Sequence, residues 1–437
     1  MREAVRRPRR FGGAVTPPGD RSISVRAAIL NALAEGEARI ANYGPGGDCA
    51  SALSVLRGLG VPVESDGDGF VVAGGAIREP DDVLDAGNSG TVMRLASGLL
   101  ASQPFLSVLT GDASLRSRPM GRVIAPLREM GADVRGRDGD RLAPLVIRGG
   151  ALRGIRYRMP VASAQVKSAI LLAGLSAEGE TVIEQPAMSR DHTERAISAM
   201  GADIREEGLT LTLRPSRLRA VDVTVPGDLS SAAFWLVAAV CHPDAEARLL
   251  GVGMNPGRTG VLDALNAMGA DIAVEHERVV SGEPVADLVA RSSRLRATHI
   301  AGDLIPRVQD ELPVLALAAC FAEGETTIAD AQELRVKETD RIHTTVGELR
   351  RLGADAHETP DGMRIAGGKA LLGARANSHG DHRIAMMLGV AGLLAAGETE
   401  VEGAEAASVT YPGFWDDLRA LAGDGERASA RASVPER

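Results

Sequence analysis

Lysine is nearly absent from this chain. Of its 49 basic residues only Lys167, Lys337 and Lys369 are lysines, and the rest are arginines. Cysteine is as scarce. Cys49, Cys241 and Cys320 stand far apart, with neither metal-site nor disulfide spacing, which fits a reducing cytoplasm. No run of eighteen apolar residues occurs, so no membrane span is expected. The net charge of −9 argues against a general nucleic-acid binder, so any basic site must be local. There is no Walker A loop, no Gly-x-Ser-x-Gly and no His-Glu-x-x-His. Gly251-Val-Gly253-Met-Asn-Pro-Gly257 has the wrong spacing for a dinucleotide loop and contains Pro. His382 has no second His at ligand spacing, so it reads as a hydrogen-bonded orienting group; neither a metal nor a cofactor is expected.

What is present is internal repetition. A helix-ending phrase recurs at Leu56–Gly60, Leu127–Gly131, Ile197–Gly201, Leu265–Gly269 and Leu349–Gly353, with a weaker copy ending at Gly423. Successive glycines are 68 to 84 residues apart, and each sits where a helix needs a left-handed C′ residue. A second phrase, Ala-Glu-Gly-Glu, follows Ala/Leu-rich helices at Ala34, Ala177 and Ala322, with a variant at Ala396-Gly397-Glu. Six units of about 70 residues follow, each an α/β unit of two helices and several strands. A third echo, Pro18-Gly-Asp20 and Pro226-Gly-Asp228, marks two domain crossings. The expected division is therefore residues 1–19 plus 226–437 as one domain and 20–225 as the other, with the ligand cleft between them. The arginines of the N-terminus precede no apolar core and are not a secretory signal. The small polar tail, 424–437, is expected to be disordered.

Arg335-Val-Lys337-Glu338-Thr-Asp-Arg341 concentrates charge around one of the rare lysines. Other Gly-, Ser- and Arg-bearing segments also lead into apolar helices: Gly87–Thr91, Ser163–Lys167 (Ser163 the expected N-cap), Arg116–Met120, and Asp381–Arg383 with Asp381 as cap. Helix starts of this kind bind anions. Arg21, Arg26, Arg118, Lys337, Arg341 and Arg383 could converge on them, with Asp310 and Glu338 as the carboxylates. Charge-assisted bonds of about 1.5–3 kcal/mol each would hold a pair of anionic substrates.

These segments resemble the EPSP synthase (3-phosphoshikimate 1-carboxyvinyltransferase) family nearly end to end. The resemblance rests on Pro18–Arg26, Gly87–Arg94, Arg118-Pro-Met-Gly, Ser163-Ala-Gln-Val-Lys-Ser, Arg335–Arg341 and Asp381-His-Arg383, in that order. The Ser-Ala-Gln form is similar to the branch that includes naturally glyphosate-tolerant members. The resemblance implies two domains of three βαβαββ units each, with helix N-termini pointing into the cleft. It implies attack of the 5-hydroxyl of shikimate 3-phosphate on C2 of phosphoenolpyruvate, followed by loss of phosphate, in a cytoplasmic and monomeric enzyme. Asp310 is then the general base and Glu338 the proton carrier. Arg21, Ser22, Arg26, Ser163, Ala164, Gln165, Ser189, Asp310 and Lys337 would hold shikimate 3-phosphate. Arg21, Gly90, Arg118, Arg341 and Arg383 would hold phosphoenolpyruvate.

Two positions depart from the family pattern: Arg21 stands where the family usually has Lys, and Val409 where some members place one. Two other readings compete. One is the sister transferase acting on UDP-N-acetylglucosamine, against which the lack of Cys in 115–118 counts. The other is a non-catalytic paralogue that senses an anionic metabolite.

Overall fold

A computed structural model describes residues 1–423. The expected disordered tail, 424–437, lies outside the described residues. Six small mixed sheets carry the repeats; five have four strands in one shared topology and the sixth has three. A typical sheet is that of strands Leu84–Asp85, Leu106–Thr110, Leu142–Arg148 and Asp133–Gly136: one parallel pair, then an antiparallel hairpin. Two sheets are completed by the N-terminus. Phe11–Val15 pairs in parallel with Ala245–Gly253, and Arg2–Arg6 pairs antiparallel with Glu398–Glu402. In the second pairing Arg2 and Arg6 meet Glu400, Glu402 and Glu398. The N-terminal arginines therefore serve a strand edge. The sixth unit departs from the βαβαββ pattern, because this strand stands in for a hairpin.

The glycines of the repeated phrase act as expected. Gly60, Gly131, Gly201, Gly269, Gly353 and Gly423 all have φ between 78° and 110°, the left-handed region that ends a helix.

Each half is built on three inner helices. These are α1 (Arg21–Leu33), α2 (Gly90–Ala101) and α3 (Ala164–Gly174) in one, and α4 (Leu229–Cys241), α5 (Leu312–Ala319) and α6 (His382–Leu394) in the other. They are apolar almost all round, as helices buried on every side must be. They pack closely: a Cβ at Gly98 of α2 would lie 2.3 Å from the Ala169 carbonyl oxygen of α3. Amphipathic helices such as Gly121–Glu129 and Arg341–Arg351 cover the outside.

Two separate apolar cores result. One takes residues between Val5 and Val15 and between Leu229 and Ala422; the other takes residues between Ile23 and Val225. The chain crosses between them at the two Pro-Gly-Asp turns. There Asp20 N–H donates to the Pro226 carbonyl and Asp228 N–H to the Pro18 carbonyl, both at 2.8 Å. Arg258 joins the crossings, 3.3 Å from Asp20 and 2.6 Å from Asp228. No described helix is long and apolar enough to cross a membrane.

Candidate active site

The inner helices start at one cleft, because their sequences begin with short polar caps. Asp20, Ser89, Ser163, Asp228 and Asp381 accept hydrogen bonds from the first-turn amides of α1, α2, α3, α4 and α6. The remaining N–H groups and the helix dipoles face the cleft with positive potential. The cavity holds about 480 Å³, the size of a small-molecule site.

Cations from both halves enter it. Arg21 is 3.0 Å from Asp48, and Arg118 is 3.0 Å from the Asn88 side-chain oxygen. The buried Nε atoms of Arg21, Arg118 and Arg383 have no partner among the described residues. Buried donors of this kind are what a bound anion would satisfy. Among the described residues Arg383 reaches only the Ser230 carbonyl, at 3.3 Å, and stands 6.0 Å from the centre of the Phe234 ring. Lys337 lines the cavity with no carboxylate within 4 Å among the described residues. Gly90 lets the Arg94 guanidinium come close, since a Cβ would fall 2.7 Å from Arg94 Nη1.

Both carboxylates lie among these cations. Arg341, almost fully buried, bonds to Asp381 at 2.8 Å and Glu338 at 2.6 Å, and lies 3.8 Å from Asp310. Two ion pairs cross the cleft: Arg118 to Glu338 at 3.2 Å and Arg190 to Asp310 at 3.0 Å. Burial alone would raise both carboxyls. For Glu338 the cations Arg341 and Arg118 outweigh it and hold the group at about 2. For Asp310 burial is outweighed by Arg190, Lys337, Arg383 and Arg341, which hold it well below the ordinary range. Both are ionised among these cations. Burial, helped by Arg341 and Arg383 and opposed by Asp381, drops His382 to about 3, so its imidazole is neutral.

The cleft brings together Arg21, Ser22, Gly90, Arg118, Ser163, Ala164, Gln165, Ser189, Asp310, Lys337, Glu338, Arg341 and Arg383, along with Val409. Arg26 is the exception. It is buried behind the wall and donates to Thr193 at 2.8 Å, Ser168 at 3.0 Å and the Ser22 carbonyl at 3.1 Å. Sequence reasoning missed Arg94, Arg190 and Arg258. Arg94 lies inside the Gly87–Arg94 motif and bonds to the Gln165 side chain, which itself donates to Thr91 at 2.9 Å. Arg190 directly follows Ser189, so proximity could have found it. Arg258 sits in a segment that carried no signal.

The EPSP synthase (3-phosphoshikimate 1-carboxyvinyltransferase) family model matches residues 5–418. Proteins named 3-phosphoshikimate 1-carboxyvinyltransferase are 55% identical over 422 residues in Herpetosiphon aurantiacus, covering 95% of this chain and 98% of that one. In Roseiflexus castenholzii the figures are 56%, 95% and 98%. EPSP synthase from Acinetobacter baumannii is similar in structure, with a TM-score of 0.87 and 42% identity over 97% of this chain and 98% of that one. The enolpyruvyl transferase NikO from Streptomyces tendae shares the fold, with a TM-score of 0.79 at 21% identity and 96% coverage of each chain. With the family model spanning nearly the whole chain and relatives above half identity, the chain belongs to the EPSP synthase family.

Proposed function

We propose that the chain transfers the enolpyruvyl group of phosphoenolpyruvate to the 5-hydroxyl of shikimate 3-phosphate, as a cytoplasmic monomer acting on two small anions. The observation that carries this reading is the pair of ionised carboxylates, Asp310 and Glu338, either side of buried Arg341 in a cationic cleft. Asp310 takes the proton of the attacking hydroxyl as oxygen bonds to C2 of phosphoenolpyruvate. A proton goes to the methylene carbon from Glu338, giving a tetrahedral adduct. Loss of a proton from the new methyl group back to Glu338 then re-forms the double bond as the C2–O bond to phosphate breaks, and the proton held by Asp310 leaves with the inorganic phosphate.

Glu338 must be protonated before it can act, although Arg341 and Arg118 hold it ionised. The donor's anionic groups supply the means. By engaging Arg118 and Arg341 they weaken the two ion pairs that hold Glu338 down, and its proton affinity rises. Arg21, Arg118, Arg341 and Arg383, with Gly90 leaving room, hold the donor. Arg21, Ser22, Ser163, Ala164, Gln165, Ser189, Asp310 and Lys337 hold the acceptor, and Arg26 supports it by fixing Ser22. Cations already in place stabilise charge that shifts during addition. Arg21 keeps a positive charge where relatives have Lys, and bonding to Asp48 fixes its fork.

The test is phosphate release by the purified protein. Release should require both substrates together. Binding of both without release would favour the sensor reading, and activity only with UDP-N-acetylglucosamine would favour the sister reaction.

A further inference from the structure

Lys167 is the only lysine of this chain that is buried. It lies on α3, 1% exposed, whereas Lys337 lines the cleft and Lys369 is on the surface. It does not line the cavity. Its ammonium donates to the Gln185 side-chain oxygen at 3.0 Å and to the Ser189 carbonyl at 3.3 Å. Gln185 Oε1 also accepts the Ser189 hydroxyl at 2.8 Å. The main chain and side chain of Ser189 are thus tied to one centre.

The third neighbour is Glu194, whose carboxylate lies 2.5 Å from the ammonium. Burial raises the Glu194 carboxyl despite the lysine beside it. The pair is therefore a poor source of stability. Replacing such a pair with apolar residues of similar volume is often neutral or stabilising. Lys167 also bonds to the 185–189 segment, which delivers Ser189 and Arg190 to the cleft wall. A compact ammonium with three rotatable donors suits these converging acceptors, whereas an arginine's rigid fork suits parallel pairs.

We propose that Lys167 is a positioning residue of the acceptor half of the site, setting Ser189 and Arg190 at the level of the acceptor's phosphate. The inference rests on the transferase reading given above. Lys167 touches neither substrate and acts through Gln185 and Ser189.

The test is steady-state kinetics on the full chain with both substrates varied. Lys167→Met alone would strand the Glu194 charge, so the double variant Lys167→Met with Glu194→Leu is compared with wild type and with Glu194→Gln. In the double variant KM for shikimate 3-phosphate should rise about ten- to a hundredfold, as small misplacements at a site do. KM for phosphoenolpyruvate should stay within about twofold, which places the effect in one half-site. Glu194→Gln keeps the Lys167 bonds and should stay near wild type for both substrates. An unchanged acceptor KM in the double variant, or an equal rise for both substrates, overturns the proposal, since a scaffold role predicts one or the other. So does a Glu194→Gln variant as impaired as the double. If wild type itself neither binds nor turns over shikimate 3-phosphate, the transferase reading fails instead, and the two failures are distinguishable.

Discussion

Glu338→Gln removes the charge that Arg341 and Arg118 hold, with little change of shape. Glu338 is mostly buried and is held at about 2 against an ordinary 4.5. A carboxyl lowered that far contributes about 3 kcal/mol at pH 7. Its folded value lies below the unfolded one, so the contribution is present above about pH 4.5 and is lost as pH falls from there towards 2. By pH 4 about 1 kcal/mol of it should be gone. Arg341 keeps Asp381 in the variant, so we expect a net loss of about 1–3 kcal/mol at pH 7. For domains of this size that is roughly 3–10 °C in melting temperature. Thermal melts of both proteins at pH 7 and pH 4 measure it: the gap should be clear at pH 7 and narrower at pH 4. Equal melting at pH 7, or a gap that widens on acidification, would refute the assignment of an ionised Glu338 paired with Arg341.

Asp310→Asn should lower kcat by about two to four orders of magnitude with little change in either KM, measured by phosphate release. Arg258→Met leaves Asp20 and Asp228 buried beside each other without their cation at the domain crossing, and should cost about 3–5 kcal/mol in denaturant unfolding. Burial pushes the thiols of Cys49 and Cys320 up to about 12, so neither should alkylate at pH 8 in the native protein while both should after unfolding.

The repeats were legible because their signals are local. A Gly at positive φ after a helix, and an Asp or Ser before the next, announce themselves within five residues. The six-unit architecture followed from those phrases, and the cleft-facing helix starts from the family resemblance. The clustering of Arg118, Glu338 and Arg341 was anticipated from motif resemblance, and their charges meet in one place. What stayed hidden depends on distant pairings. Arg26 looks like any helix-start arginine until Thr193 and Ser168 claim its guanidinium from 167 and 142 residues away. Arg190 meets Asp310 from 120 residues away, and Arg258 reaches Asp20 only because the chain recrosses between domains. The N-terminal strand was illegible for a similar reason: its partner, Glu398–Glu402, lies at the far end of the chain.

The central claim concerns which phosphate leaves. A phosphorus NMR time course with shikimate 3-phosphate and phosphoenolpyruvate follows each phosphorus separately. The account predicts that the phosphoenolpyruvate signal is replaced by inorganic phosphate one for one, while the acceptor's phosphate monoester persists with a shifted resonance. Release of phosphate from the acceptor, or from phosphoenolpyruvate without acceptor present, would contradict it.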